Sequence, residues 1–264
     1  MSGEAASMLP RLKAAINGGD MDGAKKLMVQ LKILMTSFKS TPGVVAANEA
    51  NVQELMIVRE FYELGCLVSA QSEDIEGFER HFAVVKSCYT DYAGVLPQSE
   101  KQYELQGLNL LCLLAQSKIA EFHTELELIP VDVWENPFIK FPINLEQYLM
   151  EGSYQKVLES PGGVPSKSYS YFVRLLSGTV RDSIAESSEA AYDWMPIAQA
   201  LKMLSMGSAK DLSDYVVSKQ REWEVDVNAN VVRFREDQKV DLEVPSQRLI
   251  VETLSYAKEL ERIV

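Results

Sequence analysis

Histidine is almost missing from this chain of 264 residues, which holds only His81 and His123. Neither has a second His, Cys or carboxylate at a spacing typical of metal ligands. His81 stands beside Phe78 and Phe82 and is expected on a helix surface, with His123 as a buried polar group. There is no G-x-S-x-G elbow, no Walker A loop and no G-x-G-x-x-G turn. Cysteine is scarce too. Cys66, Cys88 and Cys112 form no CxxC pair and sit in apolar stretches, which suits buried free thiols in a reducing compartment. These absences leave no catalytic residue, cofactor site or metal site to nominate. No hydrophobic run approaches the roughly 20 residues of a membrane span. The opening MSGEAASMLPRLKAAI lacks a signal-peptide pattern, and its glycine is third where myristoylation needs it second. The expected location is cytoplasm and nucleus.

Positive charge is also short. Twenty-six Lys and Arg face 38 Asp and Glu, for a net charge of −12. A chain this acidic repels nucleic acid and anionic membrane over most of its surface. Proline is missing between Pro42 and Pro97, so that stretch must be helices joined by short turns.

What is present is helical periodicity. Ala24, Leu27, Met28, Leu31, Leu34, Met35 and Phe38 form one stripe after the break Gly18-Gly19-Asp20, where Asp20 can cap. Ile75, Phe78, Phe82, Val85, Tyr89 and Tyr92 form another beyond the break Ser72-Glu73-Asp74. Ser99 can cap a third helix, whose inner side is Leu105, Leu108, Leu111, Cys112 and Ala115. Ile119, Phe122, Leu126 and Ile129 continue the pattern. Residues 1–130 are therefore expected to be consecutive antiparallel helix pairs, stacked as a TPR-like solenoid of degenerate repeats because no single amphipathic helix buries its own stripe. Residues 130–143, rich in proline and aromatics, suggest a crossover. Short helices at Leu145–Glu151 and Tyr154–Ser160 follow, then the linker SPGGVPS (160–166) and a helix near Tyr169–Glu189.

The last hundred residues change pattern. Pro196 opens a short helix, Met206-Gly207-Ser208 turns, and Ser208 caps a second helix from Ala209 to Arg221. The period then drops to two. Trp223, Val225 and Val227 alternate with Glu224 and Asp226, Asn228-Ala229-Asn230 turns, and Val231 to Phe234 returns. Helix-turn-helix plus hairpin is a winged helix. Phosphate binding needs cations, yet at 208–222 Lys210, Lys219 and Arg221 only balance Asp211, Asp214 and Glu222. The module is expected to dock on protein. A final helix from Pro245-Ser246 carries Leu249, Ile250, Thr253, Leu254, Ala257, Leu260, Ile263 and Val264 broadly on one side, which also asks for a protein partner.

Helical repeats, a helical bridge, an acidic winged helix and a terminal amphipathic helix together resemble the PCI-domain family, which builds the proteasome lid, the COP9 signalosome and the initiation factor 3 complex. FHTELELIP (122–130), ENPFIKFPINLEQYLMEGSYQKV (135–157) and PSQRLIVETLSYAKELERIV (245–264) resemble the proteasome branch. The resemblance implies a mainly α fold: a solenoid over 1–160, a helical bridge and winged helix with a small sheet over 161–244, and a bundle helix over 245–264. A broader PCI boundary starts near residue 70. It implies a noncatalytic scaffold of the 26S proteasome regulatory-particle lid, needed for degradation of ubiquitinated proteins. The alternatives are a scaffold of either other complex or, with less support, a nucleic-acid-binding winged helix. Implied partners are other PCI subunits, met through a winged-helix edge at Val225, Val227, Val231 and Phe234. Lid deubiquitinase subunits would be met in a helix bundle through Leu249, Leu254, Leu260, Ile263 and Val264. No cofactor or small-molecule substrate is implied.

Overall fold

A computed structural model of the chain describes residues 2–18, 20–36, 38, 51–92, 94–226, 230–234 and 246–262. The chain divides into two compact units, Met1–Glu186 and Ser187–Val264. The division falls inside a helix, not at the Pro/Gly segment 160–166.

The first unit is a succession of helices: α1 (Ser2–Gly18), α2 (Met21–Met35), α3 (Val52–Gln71), α4 (Ile75–Thr90), α5 (Gln102–Ala115), α6 (Ile119–Glu127), α7 (Pro137–Met150), α8 (Tyr154–Glu159) and most of α9 (Ser170–Ala191). Pairs α1/α2, α3/α4 and α5/α6 pack on themselves, and α3, α4 and α5 carry the stack from one pair to the next. The breaks are set by caps. Asp20 accepts from the Gly23 amide at 3.0 Å and Asp74 from the Gly77 amide at 2.9 Å, each satisfying an orphan donor of the first turn. Ser99 acts one turn early, accepting from the Lys101 amide at 3.3 Å ahead of α5. Leu12, Met28, Leu31, Phe61 and Leu64 form one buried cluster across α1, α2 and α3. Phe78 and Phe172 meet edge to face at 5.3 Å, tying α9 to α4. The three cysteines are buried and free. Burial pushes their thiols up, Cys88 to about 11 and Cys112 to about 12, so they pack as small hydrophobes.

The expected crossover at 130–143 is largely helix. After a 3-10 turn at Val131–Val133, α7 starts with Pro137 in its first position, and the Asn136 side chain caps the Phe138 amide. Pro142 lies inside α7. A proline there has no N–H for the carbonyl four residues back, that of Phe138. The structure supplies a substitute: the Tyr169 hydroxyl reaches the Phe138 carbonyl at 3.3 Å and the Glu104 carbonyl at 2.8 Å. The segment read as a linker is likewise held down, because Ser166 donates to Glu104 at 2.8 Å and Tyr169 is fully buried.

The two histidines exchange their expected roles. His81 is buried, whereas the His123 side chain is about half exposed beside Glu146 at 3.4 Å. His81 Nε2 lies 3.3 Å from Lys32 Nζ and Nδ1 lies 3.1 Å from Ser69 Oγ. An ammonium can only donate, so Nε2 accepts and the ring proton sits on Nδ1, donating to Ser69. Burial, then the charges of Lys32 and Arg80, push its pKa from 6.5 down to about 4. The unfolded chain therefore takes up a proton below pH 6.5 that the folded chain refuses until about pH 4. Stability is whole above pH 6.5 and falls with acid across that window. Urea midpoints measured from pH 7 to 4 should show a shallower acid loss in His81→Asn than in the parent. Parallel curves would contradict this account.

In the second unit, β1 (Trp194–Pro196), α10 (Ile197–Met203), α11 (Ala209–Ser218), β2 (Glu224–Asp226) and β3 (Val231–Arg233) make a winged helix, followed by α12 (Ser246–Glu261). The sheet order is β1-β3-β2, antiparallel throughout, with Met195 and Val225 both opposite Val232. Ser208 caps α11 at the Lys210 amide, 3.2 Å away.

Candidate protein-docking surfaces

α12 is amphipathic, and none of its 16 residues is buried. At 100° per residue Tyr256, Leu249, Leu260, Ala257, Ile250 and Leu254 fall on one arc. Arg248, Glu252, Glu259 and Arg262 occupy the other side. That polar side is organised: Arg248 pairs with Glu252 at 3.0 Å and Arg262 with Glu259 at 3.3 Å. Leu249, Leu254 and Leu260 are 48%, 65% and 50% exposed. The structure thus brings three of the five expected bundle residues onto one uncovered face. Ile263 and Val264 lie outside the described residues.

The winged-helix edge is rearranged relative to expectation. Val225 is half-buried on β2, which is an outer strand. Val231 is half-buried on β3, but β3 is the central strand, because β1 covers its other side. Phe234 is buried: its ring meets Trp223 edge to face at 4.9 Å, and Trp223 stands 6.4 Å from Tyr215. It belongs to the module's own core. Val227 lies outside the described residues. The strand that displaces Val231 from the edge, β1, had no alternating run to reveal it, being three residues ending in proline. It brings Trp194, 60% exposed, to the opposite edge.

The electrostatics of the module disfavour phosphate. Arg221, one of the three cations of segment 208–222, is turned inward: its guanidinium pairs with Glu189 at 2.7 Å and lies 5.8 Å from the Trp223 ring centre. Trp223 also donates its indole N–H to Glu189 at 2.6 Å. Glu189 therefore fixes the entry to β2 and removes one positive charge from the surface. Among the described residues no group of His, Cys, Asp and Glu is arranged to hold a metal ion, and no helix is long and apolar enough to cross a membrane.

Residues 100–242, from the third helix pair through the wing, match the family model described as CSN8/PSMD8/EIF3K. The chain belongs to the CSN8/PSMD8/EIF3K family. Its similarity to individual members extends beyond that block. It is 42% identical to the 26S proteasome non-ATPase regulatory subunit 8 homolog A of Arabidopsis thaliana, over 99% of this chain and 98% of the relative. It is 29% identical to the 26S proteasome regulatory subunit RPN12 of Saccharomyces cerevisiae, over 98% of each. It is 31% identical to the Schizosaccharomyces pombe subunit rpn12, over 93% of this chain and 94% of the relative. The CSN8/PSMD8/EIF3K match covers α5 to the wing but stops before α12, and the full-length relatives extend the likeness across α12 as well.

Proposed function

We propose that this chain is a noncatalytic structural subunit of the lid of the 26S proteasome regulatory particle, in cytoplasm and nucleus. The observation that carries the reading is end-to-end similarity to regulatory subunits of that particle. The exposed α12 supports it, since a helix with an exposed apolar face and no buried residue suits an assembly part. The signalosome and initiation factor 3 are less favoured, because the full-length relatives carry proteasome names.

In this reading the solenoid sets geometry and two surfaces supply binding energy. The α12 face enters a helix bundle with other lid subunits, including the deubiquitinase subunits, through Leu249, Leu254 and Leu260; Ile263 and Val264, expected in the same bundle, lie outside the described residues. The outer strand β2, with the half-buried Val225, abuts the winged helix of a neighbouring PCI subunit. Val231 backs it from the centre of the sheet, and Phe234 holds it from inside.

Affinity purification of the chain under native conditions, with mass spectrometry and a peptidase assay, tests the assignment. Lid subunits and ATP-dependent peptidase activity are expected in the eluate. Recovery of signalosome or initiation-factor subunits would move the chain to another complex, and recovery of the chain alone would refute the scaffold reading.

A further inference from the structure

Cations in this chain mostly have an acid beside them, as 38 acids against 26 bases would lead one to expect. Lys13 pairs with Glu60, Lys86 with Glu125, Lys118 with Glu79 and Arg174 with Glu73. The groove between α2 and α4 is different. It encloses about 520 Å³, and Lys25, Lys32 and Arg80 all line it. Among the described residues no carboxylate pairs with any of the three: Lys32 is tied to His81, and Arg80 donates to the Glu76 carbonyl at 3.2 Å. The groove's one acid, Asp74, is committed to capping the Gly77 amide. The depressed pKa of His81, buried in the groove wall, reflects burial together with the positive potential of Lys32 and Arg80.

We propose that this groove docks an acidic peptide segment of another protein, its carboxylates held by Lys25, Lys32 and Arg80. Lys25 and Lys32 are seven residues apart on α2, which places them on one face about 10 Å apart. A polyproline II segment rises about 3.1 Å per residue and repeats every three residues, so carboxylates three residues apart share a face and span about the same distance. The Lys32 ammonium is anchored on His81, and a spacing of about 10 Å along the helix suits two acids on one segment over a single phosphate. Val29, one turn from Lys25 and 58% exposed, lies between the two cations and offers an apolar contact to the residue between the acids. The inference is independent of the complex to which the chain belongs.

The test uses the full chain and a fluorescein-labelled hexaglutamate peptide followed by fluorescence anisotropy. A hexaserine peptide serves as control and inorganic phosphate as competitor. Binding should saturate, weaken with salt, and shift the His81 imidazole resonance in the NMR spectrum. The exposed-charge variant Lys25→Gln/Lys32→Gln/Arg80→Gln, checked for unchanged circular dichroism, should bind about tenfold more weakly. Equal binding by the variant, equal binding of hexaserine, binding with no movement of the His81 resonance, or binding of phosphate but not peptide would each overturn the proposal.

Discussion

Gly107→Ala should destabilise the first unit by about 3 kcal/mol, at the upper end of what overpacking a core costs. A β-carbon at this position in α5 would lie 2.3 Å from the Phe138 carbonyl oxygen and 2.3 Å from the Tyr169 hydroxyl. Neither can retreat cheaply. The carbonyl is α7 backbone, and the hydroxyl belongs to a fully buried ring. The crowding has a chemical origin. Pro142 deprives the Phe138 carbonyl of its helical partner, so a donor must come from elsewhere, and Tyr169 supplies it. The backbone of α5 then has to lie close enough for the same hydroxyl to serve the Glu104 carbonyl. Only glycine leaves that space. Tyr169→Phe should cost about 1–3 kcal/mol by removing the one hydroxyl proton shared between the Glu104 and Phe138 carbonyls. The double variant should lose less than the sum, because removing the hydroxyl relieves half of the clash. Urea unfolding of the four proteins measures this cycle. A Gly107→Ala protein as stable as the parent would mean that α5 and α7 do not approach as described.

The same site shows why parts of the fold were legible in sequence and others were not. Breaks at Asp20, Asp74 and Ser208 could be read because an N-cap is a local event, one side chain answering an amide two or three residues on. The helix through Pro142, in the expected crossover 130–143, is illegible for the opposite reason. The donor that makes a helix tolerable there is Tyr169, far along the chain, and no local pattern announces it. His81 was placed on the surface because a polar residue beside an apolar stripe normally faces water. It is buried because Ser69 and Lys32, on two other helices, meet both of its nitrogens. One local signal was there to find. Asp20-Met-Asp-Gly23 and Asp74-Ile-Glu-Gly77 repeat as cap, apolar residue, acid, glycine at the starts of α2 and α4. A β-carbon on either glycine would lie 2.3 Å from the capping carboxylate, so the glycine is part of the cap. That repetition marks equivalent helices of successive pairs more sharply than the hydrophobic stripes do. Of the docking surfaces, the α12 face was legible because periodicity alone defines it. The sheet edge was not, since which strand is outermost depends on β1, a strand too short to carry a pattern of its own.

Leu249→Asp/Leu254→Asp/Leu260→Asp should abolish capture of lid subunits while leaving the isolated chain folded. These leucines are about half exposed or more, and α12 contributes nothing to the buried core, so the substitutions remove no packing from the free protein. In an assembled bundle the balance reverses. Each leucine gains on the order of 1 kcal/mol when its remaining apolar surface leaves water, and each aspartate must instead be desolvated or exclude the partner. Together these terms weaken association by about 5 kcal/mol, more than a thousandfold. Glu252→Gln, on the polar side, breaks only an exposed i,i+4 ion pair with Arg248 and should change capture by less than about threefold. Quantitative mass spectrometry of co-purified subunits compares the three proteins, with unchanged urea midpoints as the check on folding. Undiminished capture by the triple variant would remove α12 as the docking helix and leave the sheet edge as the surface to dissect next. Loss of folding in the triple variant would show that α12 packs on its own chain. The pairing of a large assembly defect with an unaltered unfolding midpoint distinguishes an interface helix from a structural one, because a helix that packs on its own chain cannot lose its apolar face without lowering both.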